Sequence, residues 1–372
     1  PVADDAVLVL GNGDHRTFPL DVILPVARSR MTRLLGLLDA HQDSGLPALW
    51  GSEGVHACGR CPACEAELRA HDDVLLVAGV YTSQRKRLLA AGVTTMEELA
   101  ERTDPVPDLP DSVLSRVRAQ ARLQRRQAAT GEVTSEIIDT LPIAALPPPS
   151  AGDVFFDFEG DPMWSEPGSR SSGLEYLFGV IEAPVGGAPP VFRAFWAHDR
   201  AQERQALRDF LDYVAERRKA FPDMHIYHYA AYEKSALLRL AARYGVGEQE
   251  VDDLLREGVL VDLYAVVRAA VRVSQESYSI KKLEPLYMGE ELRRGPVATG
   301  GDSIVAYHEF VQARIEGREE EAAQRLESIR AYNEYDCLST LRLRDWLLAQ
   351  ADGSDAGVGL VQVDVDAGTS EA

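Results

Sequence analysis

Two carboxylates separated by one residue stand in the run Phe155-Phe156-Asp157-Phe158-Glu159-Gly160-Asp161. Side chains alternate across a strand, so Asp157 and Glu159 share one face while Val154, Phe156 and Phe158 share the other. Two acids at that spacing are roughly 6–7 Å apart at Cα, a separation that can bracket a pair of divalent ions. Their bulky neighbours imply a central strand, where like charges without compensation are costly and cations would remove the cost. The bland alternative is a strand with one solvated acidic face.

Two further acids fall where they can join the first pair. In Ile226-Tyr227-His228-Tyr229-Ala230-Ala231-Tyr232-Glu233 a strand gives way to a helix, with Glu233 in its first turn. Taken alone, Glu233 can equally be an acid favoured by the helix dipole. In Tyr332-Asn333-Glu334-Tyr335-Asp336-Cys337, Tyr332 and Asp336 are four apart and share a helix face. An Asp there can bind metal while the Tyr one turn earlier orients the attacking water; a surface Asp beside a core Tyr is the competing reading. Asp262 is a rival for the fourth acid, although its place at a strand end favours a structural role.

The elements that must position these residues follow a recognisable order. Val154–Glu159, Tyr176–Ile181 and Val191–Trp196 read as three strands, the last two joined by a turn at Gly186-Gly187. Ala201–Lys219 reads as an amphipathic helix with Leu207, Phe210, Leu211 and Val214 on one face. His225–Tyr229 and Leu260–Leu263 read as strands, Ala231–Tyr244 and Leu326–Leu348 as helices. A three-strand meander followed by alternating helix and strand predicts an α/β fold: an RNase H-like mixed sheet flanked by helices, preceded by a smaller, mainly helical region.

The three acidic motifs in this order resemble the DnaQ-like (DEDD) exonucleases, and most closely the YprB-type RNase H-like domain of RecB-like nuclease proteins. The resemblance covers about Asp153–Trp346. Gly173-Leu174-Glu175-Tyr176-Leu177-Phe178-Gly179, Val261-Asp262-Leu263-Tyr264 and Ser277-Tyr278-Ser279-Ile280-Lys281-Lys282-Leu283 support it. It implies that Asp157, Glu159, Glu233 and Asp336 bind two Mg²⁺ or Mn²⁺ ions and that Tyr332 holds the nucleophilic water. The implied activity is 3′→5′ hydrolysis of phosphodiester bonds at single-stranded ends of DNA or RNA. Glu233 departs from the family, which often has Asp there. A catalytically inactive nucleic-acid-binding or scaffold module of a larger nuclease or helicase protein is the alternative.

Upstream, Cys58-Gly59-Arg60-Cys61-Pro62-Ala63-Cys64 has the dense spacing of a zinc or iron–sulfur site, with His56 or a residue outside the chain as fourth ligand. Reduced thiols without metal are the alternative. The segment resembles the terminal cysteines of RecB-type nuclease domains, which implies that residues 1–70 are a remnant of such a domain. Residues 71–141 form a helical region in which Gly79–Ala100 resembles a helix-hairpin-helix. Arg118, Arg122, Arg125 and Arg126 line one side of the following helix, Asp111–Ala129; together with Lys281 and Lys282 they are candidate phosphate contacts. Residues 142–152, with Pro147-Pro148-Pro149, read as a stiff linker. The exonuclease domain occupies 153–350, and 351–372 read as a disordered acidic tail.

The 372 residues carry a net charge of −20, which argues against a general polyanion-binding surface and leaves only local basic patches. The chain has 45% hydrophobic residues yet no apolar run long enough for a membrane span, and no signal peptide. Four cysteines without a secretion signal fit a reducing, cytoplasmic setting. The chain opens at Pro1, so a processed chain or a fragment is expected, with further nuclease or helicase domains upstream or downstream.

Overall fold

The computed structural model describes residues 3–10, 13–45, 50, 61–166, 172–184, 186, 188–289 and 296–351. They fall into two compact units, Pro1–Asp73 with Ser165–Ser172, and Val74–Trp164 with Gly173–Ala372. The tail from 352 onward lies outside the described residues. Among those described, no helix is long and apolar enough to cross a membrane.

In the first unit, β1 (Asp5–Val9) pairs antiparallel with β2 (His15–Pro19), and α1 (Leu20–Ser44) and α2 (Pro62–Ala70) follow. The first of these strands carries the apolar run Val7-Leu8-Val9. The second lacks apolar alternation in His15-Arg16-Thr17-Phe18 and is held by pairing alone.

The second unit opens with α3 (Thr82–Ala90), α4 (Met96–Glu101) and α5 (Asp111–Thr130), packed around Val74, Leu88, Leu99, Leu114 and Val117. A capping box between Thr95 and Glu98 fixes the start of α4. Then come β3 (Ser135–Ile137) and α6 (Leu141–Ala144). The expected linker at 142–152 is therefore not free: Ile143 is fully buried and Leu146 is 9% exposed, both in one cluster with Phe155, Leu341 and Leu347. Proline removes backbone donors but does not prevent flanking apolar side chains from packing.

The sheet is built from β4 (Val154–Ser165), β5 (Ser172–Glu182), β6 (Val191–Trp196), β7 (Ile226–His228) and β8 (Leu260–Asp262), in the order β6-β5-β4-β7-β8. Strands β5 and β6 are antiparallel; β4 with β7 and β7 with β8 are parallel. Helix α7 (Arg200–Ala220) lies between β6 and β7, while α8 (Tyr232–Tyr244) and α9 (Glu248–Arg256) lie between β7 and β8. After β8 come α10 (Leu263–Ala270), β9 (Val271–Val273), α11 (Ile280–Leu283), α12 (Gly300–Ile315) and α13 (Glu319–Ala351). This is the mixed α/β architecture expected from the sequence. Strand β9 pairs antiparallel with β3, and the buried Gln120 of α5 donates to the Val273 carbonyl at 2.8 Å.

Alternation along β4 sorts its side chains. Phe156 and Phe158 join Leu207, Phe210 and Leu237 from α7 and α8. On the other face, Phe155 packs with Tyr227, Leu341 and Leu347. Helix α12 is absent from the sequence reading, because its Gly300-Gly301 start masks the periodicity; its Thr299–Asp302 capping box is the signal that marks it.

Asp153, fully buried just before β4, ties three segments together. It accepts from the backbone N–H of His225 at 2.9 Å and of Ser150 at 2.8 Å, and pairs with Arg344 of α13 at 2.9 Å. Replacing Asp153 with Ala should therefore lower stability by about 3–5 kcal/mol, since it breaks a buried ion pair and leaves the Arg344 guanidinium to the half-exposed Asp345. Urea unfolding measures this, and an unchanged midpoint would show that the clamp is dispensable.

Candidate metal centre

Asp157 and Glu159 project from β4 toward α13, and α13 returns Asp336. One carboxylate oxygen from each of the three lies within 4.8 Å of the others. Glu159 is 6% exposed and Asp336 9%. Asn333, fully buried one turn before Asp336, donates its amide to Asp157 Oδ2 at 2.8 Å and also hydrogen-bonds Glu159. The helix comes this close because position 179 on β5 is glycine: a Cβ there would sit 1.5 Å from Asn333 Oδ1.

Burial first, and the Asp336 charge second, push Glu159 from its ordinary 4.5 up to about 8. Hydrogen bonds from Ser303 and Asn333 and the charge of Lys281 oppose this without cancelling it. Ser303 of α12 is itself held by the buried Tyr176 hydroxyl at 2.7 Å. Three crowded, largely buried carboxylates are unfavourable as free anions and suited to hard divalent cations such as Mg²⁺ or Mn²⁺. The donor set present therefore fits such an ion.

Glu233 stands outside this three-acid group. It is 3% exposed at the start of α8, and burial above all raises its pKa. Its Oε2 lies 3.3 Å from His228 Nδ1. That nitrogen is 2.7 Å from the Ala230 carbonyl, which can only accept, so its proton is directed there and Glu233 Oε2 is left without a formed hydrogen bond. Asp262 caps α10, accepting from the N–H groups of Tyr264 and Ala230, both at 2.9 Å.

Tyr332 is 7% exposed and packs with Tyr307 and Phe310. Lys281 Nζ is 5.0 Å from its ring centre and donates to the Ala298 carbonyl at 2.7 Å. Because Lys281 also acts on Glu159, it links Tyr332 to the carboxylates. Lys282 is exposed on α11.

The arginine stripe is answered locally. Arg122 donates to the Ala100 carbonyl at 2.7 Å, Arg125 pairs with Glu97 at 2.5 Å, Arg126 approaches Glu136 at 3.8 Å and Arg118 approaches the Thr103 carbonyl at 3.5 Å. In the α3–α4 hairpin, the N–H groups of Thr94 and Thr95 donate to Glu98, and those of Gly92 and Val93 to Leu89 and Leu88. Of the cysteine segment, Cys58 and His56 lie outside the described residues. Cys61 caps α2, its sulfur accepting from the Cys64 N–H at 3.4 Å.

Asn333 and Ser303 are the site residues that motif reading misses. Asn333 adjoins the Tyr-x-x-x-Asp pattern, but an amide carries no metal signature. Ser303 belongs to a helix that goes unread.

Residues 154–348 match a family model, RNase_H_2, described as RNase_H superfamily. No curated protein and no solved structure matches the chain significantly.

The raised Glu159 gives a pH signature to the metal-free protein. An acid whose folded pKa lies above its unfolded one stabilises fully below the unfolded value, and that contribution is lost as pH rises through the folded value. Between about pH 4.5 and 8, the melting temperature in EDTA should carry a falling component. Glu159→Gln should remove it, and thermal melts across that range test it. An identical slope in the variant would assign the titration to another group.

Proposed function

We propose, from the premise that the chain belongs to the RNase_H superfamily, that it is a metal-dependent 3′→5′ exonuclease acting on single-stranded ends of DNA or RNA. The observation that carries this reading is the convergence of Asp157, Glu159 and Asp336 within 4.8 Å. These three would hold the divalent ions. Glu233 is the proposed fourth acid: it is buried in the first turn of α8, just after β7, the strand beside β4, with one oxygen that makes no hydrogen bond among the described residues.

Bound divalent ions supply a water of lowered pKa and neutralise charge building on the phosphoryl oxygens. The protein's own groups do the rest. Asn333 and Ser303 orient the carboxylates. Tyr332, one helical turn from Asp336, aligns the attacking water for in-line approach. Lys281 places positive charge where a phosphate must enter an acidic centre.

We also propose that Cys61 and Cys64, with Cys58, bind zinc or an iron–sulfur cluster, as in a remnant of a RecB-type domain. The Cys61–Cys64 turn at a helix start supports this, since a backbone N–H directed at a sulfur stabilises a thiolate ligand.

Degradation of 3′- and 5′-labelled strands in Mg²⁺ or Mn²⁺ tests the activity. Asp157→Ala and Asp336→Ala should abolish it while leaving the fold intact, and retained activity in both would defeat the metal assignment. Tyr332→Phe should reduce turnover on the order of 10²-fold at unchanged metal affinity, as for loss of one positioned catalytic group. Glu233→Gln should raise the Mg²⁺ concentration giving half-activity. If that shift appears instead in Asp262→Asn, Asp262 is the fourth acid. For the cysteines, elemental analysis of anaerobically purified protein should find zinc or iron at near-stoichiometric level; neither metal would remove the site.

A further inference from the structure

His308 of α12 has no part in the chemistry above, yet its setting is unusual. Its Nε2 lies 2.9 Å from Asp161 Oδ2. Asp161 is 1% exposed, whereas the His308 side chain is 62% exposed. A carboxylate oxygen accepts, so Nε2 carries the shared proton. The other oxygen of Asp161 accepts from the Met163 N–H at 2.8 Å. The buried acid is thus engaged on both sides, and it fixes the orientation of an imidazole that remains open to solvent.

Alternation along β4 puts Asp161 on the face of Asp157 and Glu159, one repeat (roughly 6–7 Å) beyond Glu159. Helix α12 follows the same progression, sending Ser303 to Glu159 and His308 to Asp161. His308 therefore stands next to the carboxylate centre on the same side of the sheet.

Docking of α12 does not need this contact. Tyr307 stacks on Tyr176 with ring centres 4.0 Å apart and planes 6° apart, and Ala306, Tyr307 and Phe310 are buried. Positioning the ring explains the buried acid better than fastening the helix does.

We infer that His308, its Nε2–H held by Asp161, donates from its outward Nδ1–H, as the doubly protonated imidazolium, to a phosphate oxygen of the nucleic-acid strand next to the scissile bond. The inference rests on the nuclease reading for the place of the strand. It gives an acidic chain a second donor, besides Lys281, at the point where a polyanion must approach three carboxylates.

The test is binding of a short fluorescent single-stranded oligonucleotide, in DNA and RNA versions, to the full chain with Ca²⁺ replacing Mg²⁺, alongside steady-state hydrolysis in Mg²⁺. His308→Gln keeps a donor for Asp161 but removes the imidazole. It should leave the melting temperature unchanged, weaken binding about tenfold with a matching rise in KM, and leave kcat within about twofold. His308→Arg should retain affinity. Wild-type affinity in the Gln variant would overturn the inference. If Gln also lowers the melting temperature, the Arg variant decides: retained affinity supports the contact, and an equal loss overturns it. A wild-type chain that binds but does not cut, with binding lost in the Gln variant, would leave the contact standing and remove the nuclease reading. A wild-type chain that neither binds nor cuts would remove both.

Discussion

Contact between α13 and the sheet at Gly179 governs the geometry of the centre. With no side chain at that position, the backbone of β5 and the amide of Asn333 occupy neighbouring space, and the Cys337 thiol reaches the Gly179 carbonyl at 3.3 Å. The helix is thereby set at a height where Asn333 meets Asp157 and Asp336 arrives one turn later. The far end of the same helix is held by the Arg344–Asp153 pair, which also anchors the start of β4. Strand and helix are thus registered at two points, and the carboxylates lie between them.

That registration concentrates negative charge in a poorly solvated place. The protein tempers it with neutral donors, Asn333 and Ser303, and with a nearby cation, Lys281. Neutral donors hold carboxylates in position without occupying the space an ion would take. A full complement of arginines would stabilise the acids more and leave less room for divalent ions. Elsewhere buried acids are treated differently: Glu203, fully buried, is surrounded by Arg200, Arg243 and the Tyr244 hydroxyl. Glu203 is thus met by cations and a hydroxyl of its own fold, whereas neutral amide and hydroxyl donors meet Asp157 and Glu159.

Much of this was legible in the sequence because it depends on local periodicity. Asp157 and Glu159 face one way because β-strands alternate, and Tyr332 and Asp336 share a helix face because helices repeat. The mixed α/β sheet follows from the order of those patterns. What escaped depends on distant partners. Nothing near Asn333 indicates that its amide reaches residues 157 and 159. Pro147-Pro148-Pro149 suggests separation, yet Ile143 and Leu146 just before it are claimed by a core assembled far downstream. The stripe of arginines at 118, 122, 125 and 126 is legible in the sequence, but the acceptors they meet on neighbouring segments are not. The place of Glu233 relative to the other acids is a matter of side-chain reach, which spacing does not encode.

Pairing of β3 with β9, together with the Gln120 bond to Val273, has a consequence for how such a chain can be rearranged in evolution. A segment swapped in or out as a cassette must bring its own closed edges. Severing this chain among the prolines would strip β9 of its partner and uncover the seat of Ile143, exposing hydrogen-bonding backbone and apolar surface together. The compact unit starts near Val74, and its helical preface is joined to the RNase_H-superfamily fold by backbone pairing as well as by packing.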